Sequence, residues 1–214
     1  VEVLTLARHE HDQDYFAGGN YELNLSFDSL RDKQWAQVAQ VVWQYPALVG
    51  PLATRFIPGK SADSRAEVQV PAPTATLTQH GQLKLPGNRI IGCEVLMTRS
   101  LFECVSVLIP LGMFQGLTGG LGMRHQNPDL QELDDLLIDL ALQVYDGVAF
   151  QIAALGHERG CQLLAELRGD GEIRHSFLVA GNFLAQDDVL RAIEPDLVPY
   201  KEVRPNLRWL GPQI

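Results

Sequence analysis

Residues 89–98, RIIGCEVLMT, and residues 101–109, LFECVSVLI, decide the fold class. Both runs are almost continuously apolar, and only Arg99 and Ser100 separate them. Apolar runs of this length suit central strands covered on both faces, and a two-residue break suits a tight hairpin. A β-hairpin at the centre of a sheet is therefore expected here.

On its N-terminal side, Tyr21, Leu23, Leu25 and Phe27 alternate with polar residues and predict a strand of period two. Ser29 and Asp32 then resemble a capping box opening a helix to about Tyr45, with Leu30, Val38, Val41, Val42 and Tyr45 as its apolar stripe. Pro46 ends it. Residues 46–87 are rich in Pro, Thr, Ser and Gly and read as irregular connection, with short strands near residues 67–70 and 74–78.

On its C-terminal side, a glycine-rich stretch, residues 112–122, precedes Asn127-Pro128-Asp129, which opens a second helix. Leu133, Leu136, Leu137, Leu140, Ala141 and Val144 mark its buried face. Residues 150–155 return as a strand. Residues 163–167 and 173–179 flank Arg168-Gly169-Asp170-Gly171-Glu172 as an added hairpin, and residues 186–193 form a short helix. A further strand is expected over residues 1–7.

From residue 21 to residue 155 the order is β-α-β-β-α-β, the ferredoxin-like order. The expected class is α+β, a mixed or antiparallel sheet with two principal helices plus the added hairpin. Residues 1–194 form a single domain. Residues 195–214, punctuated by Pro195, Pro199, Pro205 and Pro212, form an extended C-terminal arm.

Composition narrows the function. A formal charge of −9 on 214 residues, with the 17 basic residues scattered, argues against nucleic acid, whose phosphates need clustered Lys and Arg. The most apolar stretch, residues 104–114, is too short to span a bilayer and contains Pro110. No leader pattern opens the chain at Val1. The three cysteines have no CxxC spacing and read as buried reduced thiols, so a cytoplasmic location is expected.

Chemistry is most concentrated in Arg8-His9-Glu10-His11-Asp12, at the end of the first strand. His9 and His11 point the same way on an extended chain and, with Asp12 or Asp14, offer nitrogen and oxygen ligands to a divalent metal, the one cofactor suggested. Arg8-His9 after an apolar strand also resembles the opening motif of the histidine phosphatases. Gly156-His157-Glu158 after residues 150–155 resembles that family's second motif. The resemblance implies His9 as phosphoryl acceptor, Arg8 as phosphate binder and His157 as the second catalytic histidine.

Two other places suit a protein partner or self-association. Gly119 and Gly120 lie in the glycine-rich stretch, and Trp209 lies in the tail, where an aromatic side chain anchors an interface. Glu132, Asp134, Asp135 and Asp139 form an acidic cluster, of which the first three fall near the start of the helix and are read as charges favoured by its dipole. Two functional classes follow: a non-enzymatic protein-binding or regulatory protein, the preferred one, or a phosphatase-like or metal-dependent hydrolase using the His9 loop and His157.

Overall fold

The structure, a computed structural model, describes residues 19–58, 64–100, 103–113, 128–157, 176–180 and 201–210. In chain order the elements are β1 (Asn20–Phe27), α1 (Asp32–Gln44), β2 (Leu48–Leu52), β3 (Thr76–Leu85), β4 (Arg89–Arg99), β5 (Glu103–Pro110), α2 (Pro128–Gly147), β6 (Ile152–His157), β7 (Ser176–Ala180), β8 (Lys201–Arg204) and β9 (Leu207–Leu210). The expected strands at residues 1–7 and 163–167 and the helix at 186–193 lie outside the described residues.

The class is α+β, and every described strand pair is antiparallel. The strands lie in the order β2-β3-β4-β5-β1-β6-β7-β9-β8. The deciding hairpin forms, with Arg99 opposite Glu103 and Glu94 opposite Leu108. Its second strand is covered on both edges, by β4 and β1.

Two strands, β2 and β3, stand between α1 and β4: β3 takes in the short strand expected near residues 74–78 and runs well beyond it, β2 replaces irregular chain, and residues 67–70, expected as a short strand, form none. The chain order therefore departs from the expected six elements. β2 and the greater part of β3 hide from pattern reading for physical reasons. β2 contains Gly50 and Pro51, residues that weaken or interrupt a ladder. Proline is tolerated there because β2 stands at the edge of the sheet, with β3 as its one ladder partner among the described strands. β3, TLTQHGQLKL, is too polar and glycine-interrupted beyond residue 78 for its full length to stand out.

The core lies between one face of the sheet and the two helices. Tyr21, Leu23, Leu25 and Phe27 of β1 project into it, as their alternation predicts. Trp35, Val38, Ala39 and Val42 of α1 meet Leu133, Leu137, Leu140, Ala141 and Val144 of α2, all buried. Each such large side chain contributes about 1.5–3 kcal/mol on burial, so this layer is the main stabilising term.

Helix ends are set differently from expectation. α1 begins at Asp32, and the side chain of Gln34 accepts the N–H of Arg31 at 3.1 Å, so Ser29 is not its cap. Glu103 instead accepts the N–H of Leu30, fastening the entry to the hairpin end. At the start of α2, Arg89 bridges Asp129 and Glu132, the latter at 2.7 Å. Part of the acidity assigned to the helix dipole is thus neutralised by β4.

The expected C-terminal arm is also corrected over its described part. Residues 201–210 are extended, but they fold as the hairpin β8–β9, and β9 pairs with β7. Asn206 turns it with φ of 63°, a backbone region asparagine tolerates better than most side chains. Arg204 pairs with Asp146 at 3.1 Å, and the Tyr145 hydroxyl donates to the carbonyl of Asn206 at 3.3 Å. The hairpin is thereby tied to the end of α2.

Candidate functional site

The side of α1 turned away from the core carries Ala36, Gln40 and Gln44, one helical repeat apart and all exposed. Facing them is an extended segment in which Ala66, Val68 and Val70 recur at every second residue. Helix and segment enclose a groove of about 520 Å³, floored by Trp43, Gly50 and Pro51 and lined also by Arg65. That volume is in the range of small-ligand and short-peptide sites.

The floor is built by close packing. A Cβ on Gly50 would stand 2.5 Å from the Trp43 ring, and one on Gly81 of β3 would stand 2.7 Å from it. Glycine at both positions lets the indole lie flat against the sheet. Trp43 is consequently buried while it still lines the groove.

One carboxamide holds the opposite wall. Gln79 Oε1 accepts the Trp43 indole N–H at 3.2 Å and the Gln69 amide at 3.4 Å, while Nε2 donates to the Glu67 carbonyl at 2.9 Å. Further along, the Ala66 amide donates to the carbonyl of Pro51 at 2.8 Å, and Arg65 bridges to Leu52. The backbone of residues 67 and 69 is thus fastened to Gln79, while Ala66, Val68 and Val70 line the groove.

The result is an apolar wall open to solvent. Val68 is 47% exposed and Val70 38%, and with Ile90 they are the exposed large hydrophobic residues among those described. Among the described residues Arg65 is the one charged side chain in the lining, and it is exposed.

A second polar group lies on the other face of the sheet. Glu94 of β4 accepts from Arg55 at 2.5 Å and stands 3.3 Å from Nδ1 of His80, its cross-strand neighbour. Among the described residues no three His, Cys, Asp or Glu side chains gather as a metal site.

Arg8, His9, Glu10, His11 and Asp12 lie outside the described residues, as do Gly119 and Gly120. His157 ends β6, where its backbone pairs with Tyr21 of β1. Trp209, expected as a partner contact, is 5% exposed, sits opposite Leu178 and belongs to the core. The pattern that places it inward is the alternation Leu207, Trp209 within β9, masked in the sequence by the flanking prolines.

The cysteines differ from one another. Cys93 is a free, buried thiol, its pKa pushed up by burial and then by the charge of Glu94. Cys104 is disulfide-bonded, which corrects the expectation of reduced thiols; the sulfur it bonds lies outside the described residues. Having no thiol hydrogen, Cys104 can only accept from the Ser106 hydroxyl 3.6 Å away.

Arg65, Val68 and Val70 did not stand out as functional in the sequence. The short strand expected near residues 67–70 does not form: the segment is extended without a ladder, and its attachment depends on the distant Gln79. No protein-family model matches the chain, and neither the curated proteins nor the solved structures contain a significant match to it.

Proposed function

We propose that the protein is a non-enzymatic binding protein that docks an extended apolar segment of a protein partner in the groove between α1 and residues 65–70. The observation that carries this is the pair Val68 and Val70, exposed at 47% and 38% on a segment that Gln79 holds in place. Exposed apolar side chains on a fastened wall, over an aromatic floor, are a preformed place for another chain's apolar residues. Gln40 and Gln44 offer donors and acceptors that suit a peptide backbone.

On this reading the strands β4-β5-β1-β6 with α1 and α2 act as a ferredoxin-like frame, widened by β2 and β3 to create the groove. The disulfide at Cys104 supports a working compartment that is oxidising, in place of the cytoplasm expected from composition.

The test is selection of a displayed random peptide library on the immobilised chain, with Val68→Asp as the counter-target. Val68 is exposed, so that substitution leaves the core intact. Enriched peptides that bind the parent chain and lose binding to Val68→Asp are expected. Failure to enrich, or peptides indifferent to the substitution, overturns the proposal. So does turnover of a phosphate monoester that disappears with His9→Ala, which moves function to the His9 loop.

A further inference from the structure

We infer that residues 64–67 are a preformed inhibitory strand for a serine protease of arginine specificity, with Arg65 entering the protease's specificity pocket. The backbone of these residues carries the inference, independently of what the groove binds. Leu52 and Arg65 face each other in antiparallel register. The hydrogen bonds flanking them run from the Ala53 amide to the Ser64 carbonyl at 3.1 Å and from the Ala66 amide to the Pro51 carbonyl at 2.8 Å. That spacing makes Leu52 and Arg65 a non-hydrogen-bonded pair, so the N–H and C=O of Arg65 itself point away from β2. Arg65 and both its neighbours are exposed.

These outward groups are the ones a serine protease takes at the residue it cleaves after. A strand of the protease accepts the N–H, its oxyanion hole holds the C=O, and an acidic pocket takes the arginine side chain. An ordinary partner strand needs such groups repeated at every second residue. Glu67 does not repeat them, because its carbonyl accepts Gln79 Nε2 at 2.9 Å.

The same contacts favour inhibition over digestion. Attack by the protease serine on the Arg65 carbonyl carbon forms an ester, breaks the Arg65–Ala66 peptide bond and passes the serine's proton, through the protease histidine, to the Ala66 nitrogen. That nitrogen is held at the Pro51 carbonyl, and Gln79 holds Glu67 beyond it. On the other side of the bond Ser64 is held by Ala53. The new amine therefore stays beside the ester and attacks it again. The peptide bond re-forms, the serine recovers its proton and no water is consumed. A backbone already fixed in its bound form also loses little freedom on association.

The probe is trypsin acting on a chromogenic arginine amide, titrated with the full chain. The expected result is inhibition with a Kd of about 1 μM or below. Arg65→Ala, an exposed change that leaves the core intact, should weaken it at least about 100-fold, because the pocket-filling residue dominates such an interface. Arg65→Leu should transfer inhibition to chymotrypsin, whose pocket is hydrophobic. Gln79→Ala, assayed well below its Tm, should be cut after Arg65 about tenfold faster than the parent. Rapid cleavage without inhibition, a first cut elsewhere, or inhibition that Arg65→Ala leaves unchanged overturns the inference. The groove is tested separately, by peptide selection against Val68→Asp.

Discussion

Gln79→Ala is the most informative single substitution, because one side chain joins the floor of the groove to its wall. It removes the acceptor of the Trp43 indole N–H, at 3.2 Å, and both contacts to residues 67 and 69. Each intramolecular hydrogen bond is worth about 1 kcal/mol net, and a buried donor left without an acceptor costs about 1–3 kcal/mol. The 3.4 Å contact to the Gln69 amide is long and adds little.

The expected loss is therefore about 2–4 kcal/mol, unevenly distributed. About 1–3 kcal/mol falls on the global stability through Trp43, and the remainder on local attachment of residues 66–70. For a chain of this size that corresponds to a fall in Tm of about 2–4 °C per kcal/mol. Thermal unfolding followed by circular dichroism measures the first part. Hydrogen exchange of the peptide spanning residues 66–70 measures the second, and faster exchange should appear there well below the Tm.

Trp43→Phe provides the control, since it deletes the donor and keeps a ring on the floor. Combined with Gln79→Ala, it should cost less than the sum of the two single changes. Unchanged exchange at residues 66–70 in Gln79→Ala, or strict additivity in the cycle, would refute the latch.

Three further outcomes follow from the same packing. Gly81→Ala sets a Cβ 2.7 Å from the Trp43 ring and 3.1 Å from the carbonyl of Val49; it should destabilise by about 1–3 kcal/mol in urea unfolding, and a neutral result would mean that the indole is free to move. Burial, followed by the charge of Asp139, raises the Tyr45 pKa above its ordinary value of 10.0. The unfolded chain then loses this proton before the folded one, so the stability tied to it is present below pH 10 and falls away above it. Tyr45→Phe should flatten that alkaline decline in urea unfolding measured from pH 8 to 11. With Cys104 bonded and Cys93 buried, the native chain should resist a thiol reagent, and the unfolded, unreduced chain should show fewer than three reactive thiols. Reduction should bring the number to the three cysteines of the sequence.

The parts of the fold that were legible were those whose own period matched their environment. Leu133 to Val144 repeat at helical spacing and are buried along one side of α2; Tyr21 to Phe27 alternate and are buried along one face of β1. The two runs around Arg99 declared a hairpin because each is apolar and β-rich enough for a central strand and the break between them is short. β2 was illegible because Gly50 and Pro51 serve the Trp43 floor and the sheet edge, and local preference gives way to those contacts.

The candidate site was half legible for a related reason. Alternation at Ala66, Val68 and Val70 states that one side of an extended segment is apolar, and Trp43 on an amphipathic helix states that the core has an anchor. Neither reveals that the two share a groove. That depends on Gln79, 12 residues from Glu67 and 36 from Trp43 in sequence, whose side chain has no pattern to betray its partners. Trp209 failed in the opposite direction, since proline-rich surroundings suggested a loose arm where Asn206 in fact closes a hairpin.

The most direct test of the groove is a two-dimensional nitrogen–proton spectrum of the labelled chain titrated with a selected peptide. The account predicts that the Trp43 indole resonance and the amides of Ala36, Gln40, Val68 and Val70 shift together along one binding curve. Shifts centred instead on the strand end at His157, or a spectrum that does not respond at saturating peptide, would contradict it.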